Sequence, residues 1–518
     1  MRTLQVQVKE VERVNWSAII VVVFGTFMAL LNSSSVNVAI PKLMTVFGAS
    51  QDSIQWVLTG YMLSLAVVMP AAGYLADRYG YKRVFIIALS LFTVGSALSG
   101  LAWNVSSLVA ARVIQAIGGG VMQPLSMALI YRNTPRNKIG TVLGIWGIAA
   151  MAAPAVGPTL GGYLVDYVGW RTIFYANIPV AILDLFLAFT YLEETPSVVG
   201  KEFDKYGLLS SSVGFFCLLL ALSKGASKGW TSPFILSLLL ISAVALTFFV
   251  IVELSHPEPI MELRLFKNFV FTLSLVITSV ISIGMFGAIF LMPIYLQNVM
   301  GVSAMKSGLI TMPSAIATAV AMPVAGRIFD KYGAKIVALP GLAVITVTTY
   351  MMHRFSLVTP FSWIIWLLVV RAIGMGLSLM PVTTAGTNTV PLTLIGRASS
   401  LNNVIRQVMS SFGIAMFTTI MNTRQAVHFT NLAQGVSLSG SQAAGFQAWM
   451  AHISQSTGWT LGVAKVLGLA VVTKHVALLA MAESIADCYE VAAGMCFVAL
   501  VLCFFLRDQR PVSPRLSS

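Results

Sequence analysis

Residues 73–84 read GYLADRYGYKRV, a charged turn between two apolar runs that are each long enough to cross a bilayer. Residues 326–337 read GRIFDKYGAKIV and repeat this turn in register. Glycine, aspartate, a cation, tyrosine, glycine and lysine recur at the same internal spacing in both. We call the two stretches the first turn and the second turn. Their repetition predicts a chain made of two related halves.

The composition of the chain is that of an integral membrane protein. Hydrophobic residues make up 57% and charged residues 10% of its 518 residues, and the mean hydropathy is +0.85. A soluble domain could not cover its surface with so few charges. Because the apolar runs are continuous rather than alternating, we expect membrane-spanning helices rather than strands. The predicted fold class is all-α, with the lipid bilayer as the partner of its outer surface.

The net charge and the metal-binding residue types exclude other classes of protein. The net charge of +14 does not indicate nucleic-acid binding, because the basic residues are dispersed among short loops. The four cysteines lie in or beside apolar runs without metal-ligand spacing, and the five histidines form no HExxH motif. We therefore expect neither a metal ion nor a cofactor.

Fourteen apolar segments are long enough to be candidate spans. They lie near residues 16–40, 54–75, 84–103, 106–131, 139–165, 171–192, 206–223, 231–253, 268–296, 307–328, 335–352, 361–385, 397–421 and 485–506. An even number of spans places both termini on one side. Lysine and arginine number roughly 20 on the side that holds the termini and the two turns, against about 9 on the other. The positive-inside rule thus predicts cytoplasmic termini and turns.

The distance between the two turns predicts how the spans are grouped. The turns lie about 250 residues apart, whereas six helices with short loops need about 180 to 200 residues. The excess fits two additional helices. We assign residues 1–195 to the first six-helix half, 196–262 to the two additional helices with their linkers, and 263–518 to the second half. Within the second half, 423–484 is predicted as a long extracytoplasmic loop, with an amphipathic helix on the outer surface at 461–479.

One arginine lies inside the fourth apolar segment. A cation at this depth costs about 2.5 to 3.5 kcal/mol by insertion scales, so Arg112 should face the protein interior and find acceptors there. Asn32 and Asn37 of the first segment are candidate acceptors, and Gln115 shares the helix face of Arg112. A similar arginine, Arg371, precedes glycines in the twelfth segment and supports the duplication. A structural hydrogen-bond anchor is one interpretation of Arg112.

The fifth segment contains the string APAVGPTLGG at 153–162. Glycine removes side-chain bulk and proline removes a backbone donor, so this string allows close helix approach and a bend. We predict a hinge or packing seam formed by Pro154, Gly157, Pro158, Gly161 and Gly162.

With these motifs the chain resembles the major facilitator superfamily over nearly its whole length, and within it the fourteen-helix drug:proton antiporter family. The resemblance implies the major facilitator fold, with two six-helix halves plus two inserted central helices. It implies that the string at 153–162 is a motif of exporters and that Arg112 acts in proton transfer. It also implies that the two turns latch one half against the other on the cytoplasmic face. The predicted latch residues are Gly73, Asp77, Arg78, Gly80, Lys82, Arg83, Asp330 and Lys331.

The first segment departs from the pattern of that family. The family motif begins Leu-Asp, and its aspartate is a candidate proton or cation site, but this chain has Asn32 at that position. Asparagine cannot titrate. An acidic residue occurs in the middle of another apolar segment, Asp184, and an acid at membrane depth is a functional candidate. We predict Asp184 and Arg112 as the proton-coupling residues; the alternative is that Asp184 pairs with a polar neighbour or is neutral.

The expected substrate site is a cavity without an acidic residue. Such a cavity suits neutral, amphipathic or anionic compounds better than dications, and its specificity would rest on polar, apolar and aromatic walls. Asn402 and Arg406 lie in a polar band of the thirteenth segment, where helix-to-helix bonding is an equal alternative. The predicted cavity residues are Met28, Asn32, Ser35, Gln115, Trp146, Phe286, Met292, Tyr295, Asn402 and Arg406.

Together these features predict a secondary active exporter of amphipathic or drug-like small molecules. We expect it to be proton-coupled, to work by alternating access, and to lie in the bacterial cytoplasmic membrane, with its substrate and protons as partners and no need for more than a monomer. The alternative is a facilitator or exporter, uncoupled or differently coupled, of a neutral or anionic metabolite or lipid. The sequence has no Walker A motif, GxSxG motif or paired histidines, so an enzyme is not predicted.

Overall fold

The computed structural model describes residues 12–195, 204–435, 441–458 and 460–506. The α-helices in these residues are α1 Trp16–Phe47, α2 Gln51–Tyr79, α3 Tyr81–Gly100, α4 Val105–Arg132, α5 Ile139–Tyr163, α6 Thr172–Tyr175, α7 Asn177–Tyr191, α8 Lys205–Lys228, α9 Pro233–Ser255, α10 Phe269–Ile294, α11 Ala304–Tyr332, α12 Ala334–Met351, α13 Phe361–Thr387, α14 Ile395–Gly435, α15 Ser441–Thr457 and α16 Leu461–Cys503. Short 3-10 or π turns lie at Arg136–Lys138, Leu164–Val168, Leu263–Lys267, Tyr295–Val299, Met352–Arg354 and Leu392–Leu394.

The described helices are those of a multi-pass membrane protein. Thirteen helical segments in the described ranges are long and apolar enough to cross a membrane, and α5, with 25 residues, occupies the remaining predicted span. The chain is helical where each of the fourteen apolar segments was expected. The predicted all-α membrane fold is thus confirmed. The residue ranges of the two halves and of the inserted pair stay a prediction.

The helix ends follow from local sequence. Side chains of Ser50, Asn104 and Ser303 accept hydrogen bonds from backbone N–H groups in the first turns of α2, α4 and α11. Both charged turns end a helix on a glycine, since Gly80 and Gly333 each have a φ of 92°, which disfavours any residue with a side chain. The two copies of the turn therefore fold alike, with one helix ending at the glycine and the next beginning directly after it.

The helices meet in two seams between the early and the late part of the chain. α2 packs against α14, and α5 packs against α11. One end of each seam carries one of the charged turns, the first turn at the end of α2 and the second turn at the end of α11. The additional helices α8 and α9 pack on each other, and α8 also lies against α2 and α14, beside the first seam.

The region predicted as a long loop at 423–484 is mostly helical, which corrects that prediction. α14 has 41 residues and α16 has 43, so each is about 60 Å long and extends well beyond a hydrocarbon core of about 30 Å. The segment 461–479 is helical as expected but is the first part of α16 rather than a separate surface helix. The reason is that no proline or glycine interrupts the chain between 469 and 493.

The long helices are joined by charged contacts near the end away from the turns. Asp487 of α16 accepts a hydrogen bond from Arg424 of α14 and lies 2.8 Å from Nε2 of His428. Nδ1 of His428 lies 3.0 Å from Glu483. α15 packs on α16 through Met450, whose side chain occupies the space above Gly468. The three basic residues of segment 461–479, Lys465, Lys474 and His475, are exposed.

Candidate functional site

A buried polar cluster surrounds Arg112 in α4. Its side chain is 0% exposed, and the guanidinium carbon lies 3.7 Å from the ring centroid of Tyr61. Its Nη1 group donates to the amide oxygens of Asn32 and Gln115, and Gln115 donates onward to Ser96. Of the two predicted acceptors, Asn32 makes this contact. The cluster supplies a desolvated cation with neutral acceptors from α1 and α4.

Two nitrogens of the Arg112 guanidinium take no part in these hydrogen bonds. Its Nε and Nη2 groups are buried and have no hydrogen-bond partner among the described residues. An unused buried donor costs free energy unless a further acceptor reaches it. The site can therefore accept an additional oxygen from a ligand or from a rearranged side chain.

The related arginine of the second half has a similar setting. Arg371 of α13 is 5% exposed and its Nε group donates to the hydroxyl of Thr349 at 3.1 Å. Both arginines are thus buried in a span and bonded to neutral oxygen acceptors, as the duplicated sequence suggests.

Asp184 lies in α7 and packs against α1. It is 1% exposed, and a Cβ atom placed on Gly25 would lie 2.8 Å from Met122, 3.0 Å from Phe85 and 3.1 Å from Oδ2 of Asp184. Neither carboxyl oxygen has a hydrogen-bond partner among the described residues. Asp184 therefore does not form the hydrogen bond to a polar neighbour that was the alternative prediction, as far as the described residues go.

The two predicted proton-coupling residues do not contact each other. Gly25, the neighbour of Asp184, lies seven residues before Asn32, the partner of Arg112, and this separation is about 10 Å along α1. Both α1 and α3 pack against α4 and α7, so two helices connect the surroundings of Asp184 and Arg112.

Most of the predicted cavity residues are packed inside the protein. Trp146 is buried and its ring nitrogen donates to Thr26 at 3.3 Å. Tyr295 is fully buried, donates to the carbonyl of Ser356 at 2.7 Å and stacks on Phe355. Met28 and Met292 belong to apolar core clusters. These placements favour packing roles for the four residues Met28, Trp146, Met292 and Tyr295, and the side chain of Phe286 lies outside the described part of the structure.

The polar band of α14 is largely satisfied within its own helix. Asn402 is buried and donates to the carbonyl of Ala398 at 3.0 Å. Arg406 is half-buried and donates to the side chain of Asn403 at 2.8 Å. Asn402 also donates to the hydroxyl of Thr387 in α13 at 3.5 Å, which is a helix-to-helix contact. Substrate contact and helix-to-helix bonding by this band both stay predictions.

The glycines of the string at 153–162 bring α5 close to α1. A Cβ atom on Gly157 would overlap the hydroxyl of Ser34, and one on Gly161 would lie 2.9 Å from the backbone of Ser35. The hydroxyl of Ser35 donates to the carbonyl of Gly157 at 3.0 Å. At Gly162 an added Cβ would make only an ordinary contact, and the side chains of Pro154 and Pro158 lie outside the described part. The string forms a close helix seam.

The first turn makes contacts across the α2–α14 seam. Asp77 accepts a hydrogen bond from the hydroxyl of Tyr81 at 2.8 Å and lies 4.0 Å from Arg132 of α4. From the other side of the seam, Nε of Arg397 lies 3.4 Å from Oδ2 of Asp77. We call Asp77 with Arg397 the first latch. Arg83, another of the predicted latch residues, pairs with Glu194 at 3.3 Å.

The second turn makes a related contact across the α5–α11 seam. Asp330 accepts hydrogen bonds from the backbone N–H groups of Gly140 and Thr141, at 2.9 and 2.8 Å, and from the hydroxyl of Thr141 at 2.6 Å. These donors lie at the first turn of α5, where a helix N-terminus favours an anion. We call Asp330 with Gly140 and Thr141 the second latch.

Two further contacts repeat in both copies. A Cβ atom on Gly73 would lie 2.5 Å from the backbone of Gly396, and one on Gly326 would overlap the carbonyl of Gly140, so glycine meets glycine in each seam. Lys82 donates to the carbonyl of Phe189 in the last turn of α7. The equivalent Lys335 donates to the carbonyl of Phe504, just after α16. Each turn thus caps the last helix of its own half, where a cation is favourable.

The remaining predicted latch residues act locally in the described contacts. Arg78 donates to the hydroxyl of Tyr74 at 3.0 Å, and Lys331 lies 5.0 Å from the ring centroid of Tyr332. Gly80 is required by its backbone conformation.

The sequence-based prediction missed the partners of the two aspartates. A repeated signal marks them, because Pro135 and Pro391 are each followed, four and five residues later, by Ile-Gly. Both prolines have φ of −58° and ψ of 143° and precede a short 3-10 turn and then a helix. The next residue in the two copies is Thr141 and Arg397, which are the latch partners.

Known proteins resemble this chain over most of its length. The sequence model of the Major Facilitator Superfamily matches residues 22–414. The uncharacterized MFS-type transporter YhcA of Bacillus subtilis is 37% identical over 495 residues, which are 95% of this chain and 93% of that protein. The lincomycin resistance protein LmrB of Listeria monocytogenes is 31% identical over 410 residues, 79% and 87% of the two chains. The human organic anion transporter MFSD10 aligns structurally with a TM-score of 0.62 at 13% identity, over 94% of this chain and 99% of that one.

A helical membrane bundle with duplicated turns across two seams, together with these relatives, defines a multi-pass membrane transporter rather than an enzyme. The chain belongs to the Major Facilitator Superfamily. The resemblance inferred from the two turns is therefore confirmed at the level of family and fold.

Proposed function

We propose that this protein exports amphipathic or drug-like small molecules by alternating access, as a secondary transporter of the bacterial cytoplasmic membrane. The observation that carries the proposal is the pair of latches. Asp77 and Asp330 each reach across a seam to the first turn of a helix in the opposite half. Two matched, breakable contacts at one end of the bundle suit a gate that opens as a unit.

The loop charges support a cytoplasmic position for this gate. The sequence assigns the turns and both termini to the side with the larger number of lysine and arginine residues, and the positive-inside rule assigns that side to the cytoplasm. With this orientation, a bundle in which both latches are closed is closed toward the cytoplasm.

Export as the direction of transport is supported by two observations. The string at 153–162, which resembles a motif of exporters, forms the α1–α5 seam through Gly157 and Gly161. The name of LmrB describes a lincomycin resistance protein. Removal of a toxic compound from the cell is the simplest activity that agrees with both.

Proton coupling is supported by Asp184. Its carboxyl group is buried beside Gly25 without a partner, so it can hold a proton in this conformation and release it when α1 and α7 become hydrated. Arg112 contacts the same helix α1 through Asn32. A proton and a substrate could thus be linked through movement of α1.

A second candidate, uncoupled or differently coupled transport of a neutral or anionic compound, is favoured by a different observation. The position beside Arg112 is the amide of Asn32, and two guanidinium nitrogens of Arg112, Nε and Nη2, have no acceptor among the described residues. These donors suit a carbonyl, phosphate or carboxylate oxygen of a metabolite or lipid better than a cation.

Transport into everted membrane vesicles tests the proposal. A fluorescent amphipathic dye is added to vesicles that contain the protein, and a proton gradient, acidic inside, is then imposed and later collapsed with a protonophore. Gradient-dependent accumulation supports proton-coupled export. Accumulation that does not depend on the gradient supports the second candidate. Both candidates are contradicted if, across a panel of dyes and organic anions, the vesicles transport no more than vesicles that lack the protein.

A further inference from the structure

The segment between α9 and α10 lies directly against the first latch. Ile260 and Met261 are 0% and 2% exposed and belong to the apolar cluster that contains Tyr74 of α2 and Ala398 of α14. The connection that follows the inserted helices is therefore packed between the two sides of the α2–α14 seam. Its charged residue, Glu262, comes next in the chain.

The guanidinium of Arg397 lies between two carboxylates. Its Nε group is 3.4 Å from Asp77, and its Nη1 group is 3.6 Å from Oε2 of Glu262. The side chains of all three are at least nine-tenths buried. A buried charge is tolerated when it is paired, so Arg397 has two anions from two different segments.

Glu262 is held in place by the inserted helices. The backbone N–H of Met261, its neighbour, donates to both carboxyl oxygens of Glu253 at 3.3 and 3.2 Å. Glu253 is 1% exposed in the last turn of α9. The end of the inserted pair thus fixes the backbone that presents Glu262 to Arg397.

Glu262 is linked to the second half, whereas Asp77 is part of the first. A single 3-10 turn, Leu263–Lys267, joins Glu262 to α10, and Asn268 donates to Thr389 in the connection before α14 at 2.9 Å. Arg397 lies in the first turn of α14, which packs against α10. Glu262 is thus connected to the half that carries Arg397, whereas Asp77 belongs to the other half.

The second latch has no such pair of carboxylates among the residues that the structure describes. Thr141 occupies the third position of α5, as Arg397 does in α14, and binds Asp330 without any charge of its own. The copy with an arginine is the copy that lies beside the inserted helices. A cation near a helix N-terminus needs a permanent counter-charge, because the helix dipole repels it.

We propose that Glu262 is a positioning residue of the first latch that stabilises the open conformation by keeping Arg397 paired after Asp77 has left. This proposal rests on the alternating access proposed above. In this proposal the inserted helices position Glu262 and so contribute to the conformational cycle. Asp77 favours the closed latch and Glu262 favours the open one, although both contact the same guanidinium.

The two carboxylates should therefore shift the equilibrium between the closed and the open latch in opposite directions. With Asp77 present, the closed latch pairs Arg397 with two anions that repel each other, so each contributes less there than it would alone. The open latch pairs Arg397 with Glu262 only. Removing the carboxylate of Glu262 destabilises the open conformation more than the closed one. Removing the carboxylate of Asp77 destabilises only the closed one.

Cysteine accessibility in the seam tests the proposal without requiring a substrate. Ser400 of α14 is buried, and its hydroxyl accepts a hydrogen bond from the N–H of Gly73 across the seam. We suggest Ser400→Cys in the full-length chain, with the four native cysteines replaced by serine or alanine, reconstituted in lipid vesicles. The rate of alkylation by a membrane-permeant maleimide then reports how often the latch opens.

The expected rates differ in direction. Asp77→Asn should raise the rate of alkylation several-fold, and Glu262→Gln should lower it by about threefold or more below that of the parent. The double variant should return toward the parent rate, because Arg397 then lacks an anion in both conformations. Glu262→Asp, which keeps the charge, should stay near the parent. As a control, Asp166→Asn changes an exposed residue of the π turn beyond α5 and should have no effect.

Several outcomes would overturn the proposal. A rate for Glu262→Gln that equals the parent rate, or that rises as for Asp77→Asn, would show that Glu262 does not stabilise the open latch. A loss of folding in Glu262→Gln that Glu262→Asp does not restore would show that the carboxylate is not the group that matters. Because the assay needs neither a gradient nor a cargo, its result is separate from any failure of the export or proton-coupling proposals.

Discussion

The guanidinium of Arg112 donates a hydrogen bond to the amide oxygen of Asn32, and both side chains are buried between α4 and α1. The acceptor that faces the arginine is thus a neutral amide. The buried cation and the buried acid Asp184 are therefore at separate places in the bundle. The cation is held by neutral groups that include Asn32, in the middle of α1, while the buried acid Asp184 of α7 packs against Gly25, about 10 Å earlier in α1.

Replacing Arg112 with methionine should destabilise the protein. The change leaves the amide oxygens of Asn32 and Gln115 without their donor, and we expect a loss of about 3 kcal/mol in the free energy of unfolding. Thermal unfolding in detergent measures this. Arg354→Met, at an exposed 3-10 turn, is the control and should stay within about 0.5 kcal/mol of the parent. Equal stabilities for Arg112→Met and the parent would contradict the buried network.

Replacing Asp184 with asparagine should uncouple transport without unfolding the protein. The amide has nearly the shape of the neutral acid but cannot release a proton, so accumulation driven by a proton gradient should fall to the level of the protonophore-treated vesicles. Downhill efflux of the dye should remain. Asp166→Asn, at an exposed position, should leave both activities as in the parent. Undiminished gradient-driven accumulation in Asp184→Asn would remove Asp184 from the coupling proposal.

Replacing Asp330 with asparagine should slow transport of any substrate. Its carboxylate accepts three hydrogen bonds from Gly140 and Thr141, and losing the charge should weaken the second latch by roughly 1.5 to 3 kcal/mol. We expect turnover to fall about tenfold, because the closed conformation is then less populated. Arg327→Gln changes an exposed neighbour and serves as the control. Normal turnover in Asp330→Asn would show that the second latch does not limit the cycle.

Replacing Gly157 with alanine should disturb the α1–α5 seam. The added methyl group would overlap the hydroxyl of Ser34, and overpacking of this kind costs about 1 to 3 kcal/mol. The same helix offers a matched control, since a methyl group at Gly162 would lie 3.7 Å from Val38 and should be tolerated. Thermal unfolding of the two variants should therefore differ, and identical melting temperatures would argue against a close seam.

The spans could be predicted from the sequence because each depends only on residues that are neighbours in the chain. A run of about 20 apolar residues has no alternative to a membrane helix, and the two turns carry their own helix ends in Gly80 and Gly333. The family followed from the repeat for the same reason. The hairpin of α14 to α16 was predicted as a loop with a surface helix, because hydropathy does not reveal where a continuous helix leaves the membrane.

The site was predicted only in part. Arg112, Asn32 and Gln115 were identified because a cation at membrane depth demands acceptors, and the structure brings these three together. The aromatic and methionine candidates could not be sorted from sequence, since Tyr295 and Met292 look the same whether they line a cavity or fill a core.

The amino-acid sequence by itself determined that the chain crosses the membrane many times, that its two halves are related, and which residues carry the turns. Only the tertiary structure decided what those turns touch. Asp77 meets Arg397, and Asp330 meets Thr141, at sequence separations of 320 and 189 residues. Hydropathy and spacing act within one helix, whereas a latch depends on which helices pack side by side, so the pairing of Arg397 with Glu262 emerges only in the folded bundle.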